Sequence, residues 1–286
     1  MKELLFIVSF IFSFNFVAAQ FQDNFDDNSF PNDPDWFGDT NIYIVNAEGE
    51  LQLMDIDAGD SFIYAPVNTA DSTTWEFRFR LEFNPSSSNR LKIFLSSDAP
   101  DLEGDLNGYF LQIGQSGDED ALELWRQDGT NTSLILSGSA DSVAIEPYAK
   151  VRVVRNDAGL WQLYADYSGG NDLQLDGSVV DDTNFMSNYF RFHCNYSATR
   201  KDKFYFDDVV IGPLLIDNSP PTLVDANPID ANSLVLNFDE TLDQSSAENA
   251  NNYNINNGIT VNSAISASLF NSEKKAVNIA SSTEPD

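Results

Sequence analysis

Apolar and polar residues alternate with a period of two along much of the chain, which is the pattern of a β-strand with one buried face. In the clearest example, residues 75–83, aromatic residues alternate with Glu76, Arg78, Arg80 and Glu82. Similar runs lie at residues 91–95, 109–113, 121–126, 151–155, 161–166, 189–196 and 204–211. Turn-forming Gly, Asn and Asp separate the runs. The pattern predicts an all-β fold, a two-sheet sandwich of roughly 10 to 14 strands.

The pattern changes after Gly212. Residues 217–221 are Asp-Asn-Ser-Pro-Pro, and consecutive prolines do not continue a central strand. We therefore predict a first β module over residues 20–213, a linker over residues 214–221 and a second β module over residues 222–286.

Residues 1–19 have the features of a signal peptide. Lys2 supplies a positive charge, residues 4–16 are almost wholly apolar, and the segment ends in the small residues that a signal peptidase requires. The apolar run is shorter than the roughly 20 residues that span a bilayer. We expect cleavage after Ala19 and an extracellular or cell-surface protein that is not integral to the membrane. A retained membrane anchor is the alternative.

Composition narrows the classes of partner. The 45 Asp and Glu residues outnumber the 15 Lys and Arg residues, and a formal net charge of −30 repels the phosphates of nucleic acids. Cys194 is the single cysteine, so the fold depends on apolar burial and not on an internal disulfide. Because Phe190, Phe192, Cys194 and Tyr196 share one strand face, we predict an unreactive core thiol.

Three segments of the first module carry a family resemblance. They are residues 21–53, beginning FQDNFDDNSF; residues 106–114 (LNGYFLQIG) with residues 122–129 (LELWRQDG); and residues 203–212 (KFYFDDVVIG). They resemble the concanavalin A-like lectin/glucanase, or laminin-G-like, jelly roll. More narrowly, they resemble the amino-terminal module of large secreted bacterial surface proteins that often carry lamin-tail and Ig-like domains. The resemblance implies a concanavalin A-like jelly-roll sandwich and says little about activity.

The second module has a resemblance of its own. Residues 220–243, which contain Phe238-Asp239-Glu240, and residues 252–255 are similar to bacterial Ig-like domains of the S-layer type. An Ig-like sandwich needs nearer 100 residues than the roughly 65 that follow the linker. We therefore expect an incomplete Ig-like β-sandwich that lacks its last strands, in a sequence that is part of a longer protein.

Known catalytic patterns are missing from the sequence. Retaining glycosidases hold two carboxylates about 5 to 5.5 Å apart. One common jelly-roll family carries them on one strand in the motif Glu-x-Asp-x-x-Glu, which this chain lacks. Glu76 and Glu82 alternate with arginines, so we expect them to form ion pairs. His193 is the single histidine and points away from Cys194 by strand alternation. We predict no enzymatic activity for this chain.

Acidic residues cluster near both ends of the first module. In jelly rolls of this type the first and last strands lie side by side, which would bring Asp23 and Asp26 toward Asp207 and Asp208. Close carboxylates repel each other unless a cation or hydrogen-bond donors compensate, and Ca²⁺ takes about 6 to 8 oxygen ligands. These four aspartates are therefore candidate Ca²⁺ ligands, and the alternative is that they cap turn backbones. The loop at residues 101–108 is a weaker candidate, because its glycine is misplaced for an EF-hand.

Basic residues at outward strand positions indicate a candidate binding face. If their strands belong to the sheet whose concave side holds sugar in related lectins, five side chains are candidates for holding an acidic glycan. They are Arg78, Lys92, Arg191 and His193, with Trp125 as a stacking ring. Aromatic faces suit sugar C–H surfaces, and guanidinium groups suit carboxylates or sulfates. The alternative is pairing with acids on neighbouring strands. The other tryptophans are expected in or beside the core: Trp36, Trp75 and Trp161.

These features lead to one hypothesis and two alternatives. The leading hypothesis is a secreted, non-catalytic surface or adhesion protein whose jelly roll binds a polysaccharide or surface glycan and whose Ig-like module is a spacer. The first alternative is that both modules are accessory parts of a larger extracellular hydrolase or nuclease. The second is a structural surface-layer component that assembles through a Ca²⁺-dependent interface.

Overall fold

The structure is a computed structural model that describes residues 20–69, 72–100, 105–117, 120–185, 187–214, 221–239, 242, 244–255, 259–266 and 276–283. The chain divides into two compact units between Leu215 and Ile216. The predicted signal peptide and residues 215–220 of the predicted linker lie outside the described residues. Among the helices of the described residues, none has the length and apolar character needed to cross a membrane.

Fifteen strands form the first unit within the described residues. They are β1 (Phe21–Asp23), β2 (Phe37–Gly38), β3 (Tyr43–Val45), β4 (Leu51–Leu53), β5 (Gly59–Thr69), β6 (Thr73–Leu81), β7 (Arg90–Ser97), β8 (Leu106–Ile113), β9 (Glu123–Gly129), β10 (Asn131–Ser137), β11 (Tyr148–Arg155), β12 (Leu160–Asp166), β13 (Gln174–Val180), β14 (Ser187–Tyr196) and β15 (Phe204–Pro213). The count exceeds the predicted range because β1 to β4 have two or three residues each, too few for a visible period. A 3₁₀ turn at Thr40–Ile42 lies between β2 and β3.

Two antiparallel sheets make up this unit. The eight-stranded sheet has the order β13-β12-β11-β6-β15-β4-β3, with β1 paired to β15. The seven-stranded sheet has the order β10-β9-β8-β7-β14-β5-β2. The first and last strands are neighbours as expected, with Asp23 opposite Val209. The all-β two-sheet sandwich predicted from the strand pattern is confirmed, and so is the jelly-roll fold that the resemblance implies.

The main hydrophobic core lies between the two sheets. Along β6 the inward aromatic residues Trp75, Phe77 and Phe79 are at most 2% exposed, as the alternation predicts. Burial of a large apolar side chain stabilises a fold by about 1.5–3 kcal/mol. Cys194 is fully buried, and burial raises the pKa of its thiol, which confirms its place in the core. The three tryptophans expected in the packing are buried as predicted: Trp36, Trp75 and Trp161.

The second unit contains a four-stranded antiparallel sheet of order β16-β17-β19-β18. Its strands are β16 (Leu223–Pro228), β17 (Ser233–Phe238), β18 (Ile259–Ser266) and β19 (Ala276–Thr283). Helix α1 (Gln244–Ala247) and a 3₁₀ turn at Ala250–Asn252 separate β17 from β18. A small core includes Leu236, Val277 and Ile279. Glu240 of the Ig-like motif lies outside the described residues, and the Ig-like identity of this unit stays a prediction.

Candidate functional site

The outer face of the seven-stranded sheet, turned away from the main core, carries a row of side chains that crosses every strand of the sheet. Each member lies directly opposite the next in the strand register, so neighbouring side chains are close enough to pack. From β10 to β2 the members are Leu134, Trp125, Phe110, Phe94, Arg191, Tyr64 and Phe37. We call this set the aromatic row.

Trp125 is the one aromatic member of this row that the sequence analysis identified. Its ring stacks on Phe110 with centroids 6.3 Å apart and planes 3° apart, and Phe110 packs on Phe94 at 5.0 Å. The indole Nε1 donates a hydrogen bond to Glu123 Oε2 at 2.9 Å. Phe94 and Phe110 are buried, whereas Trp125 is half-buried. The indole ring is therefore fixed in orientation while part of its surface remains in contact with solvent.

Aromatic rings also pack at the other end of the row. Tyr64 stacks on Phe37 at 5.6 Å and on Phe62 at 6.4 Å, and it meets Tyr189 edge to face at 5.5 Å. Phe37 is 43% exposed although it is large and apolar. The aromatic row thus has a partly exposed ring toward each end, Trp125 and Phe37, and a buried centre.

Arg191 occupies the centre of the aromatic row but is not accessible. The side chain is fully buried, and its Nη2 donates hydrogen bonds to Ser97 Oγ at 2.9 Å and to Ala99 O at 2.7 Å. Its guanidinium carbon lies 4.6 Å from the centroid of the Phe94 ring. The expectation of an open, ligand-facing position for Arg191 is therefore wrong, because the segment that follows β7 lies over it. Arg191 holds that segment against the sheet.

A second row, next to the aromatic row on the same face, carries polar groups. In register across the sheet it consists of Glu123, Gln112, Lys92 and His193, and we call it the polar row. Lys92 Nζ lies 4.4 Å from the centroid of the Phe110 ring, so the two rows are in contact. Burial, and next the positive charge of Arg90, lower the pKa of Lys92 to about 8. The ammonium form therefore still predominates at neutral pH and is lost as pH rises through about 8.

His193 is positioned by a carboxylate. Its Nε2 lies 2.7 Å from Asp60 Oδ1, and Asn195 Nδ2 donates to Oδ2 of the same carboxylate at 3.0 Å. Burial alone would raise the pKa of Asp60, but its hydrogen bond with His193 and the charge of His193 keep that pKa below its ordinary value. His193 Nδ1 is buried and has no hydrogen-bond partner among the described residues. Such a group typically costs about 1–3 kcal/mol, and departures of this kind concentrate at functional sites.

Arg78 does not join this face. It lies in β6 of the eight-stranded sheet, forms an ion pair with Asp208, and donates from Nη2 to Asn171 Oδ1 at 3.2 Å. The structure thus brings together Lys92, Trp125 and His193 on one surface, places Arg191 beneath it, and places Arg78 on the other sheet. The prediction of a single five-residue cluster is wrong, since the period of two shows which residues point outward but not from which sheet.

Ion pairs cover the outer face of the eight-stranded sheet. Glu76 accepts from Lys150 Nζ at 2.8 Å and from Arg152 Nε at 2.6 Å. Arg80 bridges Glu50 and Glu82 and lies 3.7 Å from the centroid of the Tyr205 ring. The expected pairing of Glu76 and Glu82 with basic residues is confirmed. A groove of about 550 Å³ adjoins this network, and charged and polar residues line it.

The aspartates proposed as Ca²⁺ ligands have other partners. Asp23 is buried and accepts from Trp36 Nε1 at 2.7 Å and from the Phe25 amide at 2.9 Å. Asp208 is paired with Arg78, and Asp26 accepts from Asn24 Nδ2 at 2.8 Å. Burial raises the pKa of Asp207 to about 6, and the charge of Asp208 adds to this rise.

The hydrogen bonds and the ion pair of these aspartates bear on whether the four side chains could bind a metal ion. Within the described residues, no group of three or more His, Cys, Asp or Glu side chains is placed to hold a metal ion. Asp23, Asp26, Asp207 and Asp208 therefore do not fit a Ca²⁺ site, and the alternative of hydrogen bonding to nearby turn groups describes Asp23 better. Residues 101–104 of the weaker candidate loop lie outside the described residues.

Solved structures that are similar to this chain include lectin domains. The VIP36 exoplasmic/lumenal domain in its Ca²⁺- and mannose-bound form superposes with a TM-score of 0.51 at 9% identity, over 65% of this chain and 85% of that one. The carbohydrate recognition domain of Emp46p superposes with a TM-score of 0.50 at 12% identity, over 70% of this chain and 99% of that one. The fold is a concanavalin A-like jelly roll. No family model and no curated protein sequence matches the chain.

The other aromatic members of the row were not identified from the sequence, although a signal was present for Phe94 and Phe110. Ile93-Phe94-Leu95 and Tyr109-Phe110-Leu111 are continuous apolar runs and not alternating ones. A continuous run indicates a strand that is covered on both faces. Phe94 and Phe110 form a separate buried cluster with Leu106 on the outer face, which is the second covered side that the runs indicate.

Proposed function

We propose that this protein binds a glycan on the outer face of the seven-stranded sheet. The observation that carries the proposal is the half-buried ring of Trp125, held in fixed orientation by Phe110 and Glu123 at the edge of the polar row. A flat aromatic ring accepts the C–H face of a sugar, and the neighbouring polar groups can meet its hydroxyls. Aromatic and polar groups that are spread over several adjacent strands suit an extended chain better than a small molecule.

Further support comes from the chemistry of the polar row. Gln112 supplies an amide donor and acceptor, Glu123 an acceptor, and Lys92 a donor, all from adjacent strands. VIP36 has been solved with mannose bound, and Emp46p contributes a carbohydrate recognition domain, so the fold serves sugar recognition in those proteins. At 9% and 12% identity the shared feature is the fold, and the proposal for these residues rests on the geometry of this chain.

We further propose a secreted, non-catalytic surface or adhesion protein. Residues 1–19 act as the export signal, the jelly roll binds the glycan, and the second unit serves as an Ig-like spacer. The carboxylates Glu76 and Glu82 support a non-catalytic role, because both are engaged in ion pairs on the outer face of the other sheet. The net charge of −30 disfavours nucleic acid as a direct partner.

A binding panel with two aromatic variants tests the proposal. The mature protein is measured against neutral and acidic polysaccharides, with mannan included, by pull-down and calorimetry. Trp125→Ala is expected to weaken binding about tenfold or more, the loss expected when one aromatic contact is removed. Tyr148→Ala is the matched control, because Tyr148 lies on β11 of the eight-stranded sheet and is 40% exposed. Absence of binding across the panel, or equal losses in both variants, would overturn the proposal.

A further inference from the structure

Two cations lie side by side at the centre of the seven-stranded sheet without an acidic partner. Arg90 and Lys92 are two residues apart on the outer face of β7, opposite Asn195 and His193 of β14. Within the described residues neither side chain forms an ion pair or a hydrogen bond, and Arg90 Nε is buried without a partner. Both residues are half-buried.

This arrangement is unexpected in so acidic a protein. The chain has 45 acidic and 15 basic residues, so a basic side chain would ordinarily find a carboxylate. On the eight-stranded sheet four basic residues do so: Arg78, Arg80, Lys150 and Arg152 form ion pairs. Arg90 and Lys92 instead repel each other, and that repulsion contributes to the lowered pKa of Lys92.

The nearest carboxylate is already occupied. Asp60 uses Oδ1 for His193 Nε2 at 2.7 Å and Oδ2 for Asn195 Nδ2 at 3.0 Å. Its charge still acts on Arg90 and Lys92 at a distance, but Asp60 forms no ion pair with either of them. His193 Nδ1, nine-tenths buried with its ring, is a further polar atom without a partner among the described residues. The positive charges of Arg90 and Lys92 are thus not neutralised by an ion pair among the described residues.

We propose that Arg90 and Lys92 form an anion-binding subsite that takes a carboxylate or sulfate group of an acidic sugar. This inference rests on the proposed glycan-binding face and specifies its ligand class. Trp125 and Lys92 are two strands and two residues apart, a span of about 12 Å that is close to the length of two sugar units. One ring of a glycan chain then lies on Trp125 while the charged substituent of its neighbour reaches Lys92 and Arg90. A guanidinium and an ammonium group together suit such an oxyanion.

The charge of the whole protein restricts the ligand further. At a formal net charge of −30, densely charged polymers are repelled at long range, whereas one isolated anionic group feels mainly the two local cations. Glycans with spaced acidic groups are therefore expected to bind better than polymers that carry an acid on every unit.

Matched pairs of polymers and a double variant test this subsite. Binding is measured for agarose against κ-carrageenan, which compares a neutral chain with a sulfated one. It is also measured for fully against partially methyl-esterified polygalacturonate, which compares a neutral chain with one carrying spaced carboxylates. Inorganic sulfate alone reports on capture of a free anion. In Arg90→Gln with Lys92→Gln, the preference for the acidic member is expected to fall about tenfold or more.

The control is Lys150→Gln with Arg152→Gln, which removes one lysine and one arginine from the outer face of the other sheet. Melting curves verify that both double variants fold. The subsite is supported if the preference for the acidic polymer is lost in the Arg90 and Lys92 double variant and kept in the control. Equal binding of neutral and acidic members, unchanged preference in the double variant, or binding of free sulfate without any glycan preference overturns it and leaves the glycan-binding face in place. Absence of binding to every polymer overturns both proposals.

Discussion

The outer faces of the two sheets differ in how their charges are used. On the eight-stranded sheet, Glu76 joins Lys150 and Arg152, and Arg80 joins Glu50 and Glu82, so outward charges satisfy one another. On the seven-stranded sheet, an aromatic row lies beside two cations that form no ion pair with an acidic side chain among the described residues. The charges named on the first face therefore need no ligand to neutralise them. The second lacks an anion, which is the condition expected of a surface that binds a ligand.

The difference also concerns stability. An exposed ion pair contributes about 0.2–1 kcal/mol, so the network on the eight-stranded sheet adds modestly to the free energy of unfolding. On the seven-stranded sheet, two half-buried cations repel each other and a buried polar atom has no partner among the described residues. Both features lower the free energy of unfolding. Natural proteins commonly keep such unfavourable arrangements where binding requires them.

The largest expected effect comes from the centre of the seven-stranded face. Arg191→Ala removes a fully buried guanidinium and leaves Ser97 Oγ and Ala99 O without the donor they now have. We expect the free energy of unfolding to fall by about 3 kcal/mol, measured by urea denaturation. Arg152→Ala is the matched control on the eight-stranded face, where the side chain is 43% exposed and the loss should stay below about 1 kcal/mol. Equal losses would show that the two faces do not differ in this way.

An intermediate effect is expected from pH. Because the pKa of Lys92 is lowered to about 8, the free protein loses this positive charge as pH rises through that value. Binding of an acidic glycan should therefore weaken between about pH 7 and 9, while binding of its neutral counterpart should not. The unfolded chain keeps the proton to higher pH, so the same group makes the protein more stable as pH rises from about 8 toward its ordinary pKa.

Lys92→Arg separates this titration from other causes, because arginine stays charged throughout the range. Isothermal titration with the partially esterified polymer should give pH-independent affinity for this variant over the interval in which the wild type weakens. Identical pH profiles for the two proteins would contradict the role given to Lys92.

The smallest effect is expected on the eight-stranded face. Glu76→Gln weakens its contacts with Lys150 and Arg152, and we expect a loss of about 1 kcal/mol in unfolding free energy with no change in glycan affinity. Burial would raise the pKa of Glu76, but hydrogen bonds from Lys150 and Arg152 keep it below its ordinary value. The stabilising contribution is therefore present above the ordinary pKa and disappears as pH falls through the lower one.

The difference in unfolding free energy between the wild type and Glu76→Gln should accordingly become smaller as the pH falls. Urea denaturation at several pH values measures this change. A change in glycan affinity in this variant would mean that the eight-stranded face also takes part in binding.

The sequence predicted the fold well and the candidate site only in part. The alternation in residues 75–83 identified β6 and its inward residues, because a half-buried strand imposes that period directly. The same period cannot assign a strand to a sheet, so Arg78 was grouped with Lys92 although they lie on different sheets. It also cannot reveal that a loop folds over an outward residue, which is why Arg191 was expected at the surface.

Other features of the site depend on contacts that are distant in sequence. The pairing of His193 with Asp60 joins residues 133 positions apart, and only the strand register brings them together. The absence of an acid beside Arg90 and Lys92, within the described residues, is a property of the folded surface as a whole. By contrast, the apolar runs around Phe94 and Phe110 were visible in the sequence and marked the covered part of this face.

Tryptophan fluorescence tests the central claim most directly. Trp36, Trp75 and Trp161 are 3%, 2% and 1% exposed, so among the four tryptophans Trp125 is the one that a ligand on the sheet surface can reach. Titration with a glycan that binds the wild type should change its emission, and Trp125→Phe, which retains an aromatic ring, should bind with no comparable change. A change of equal size in Trp125→Phe, or glycan binding by the wild type without any change in emission, would contradict binding at the outer face of the seven-stranded sheet.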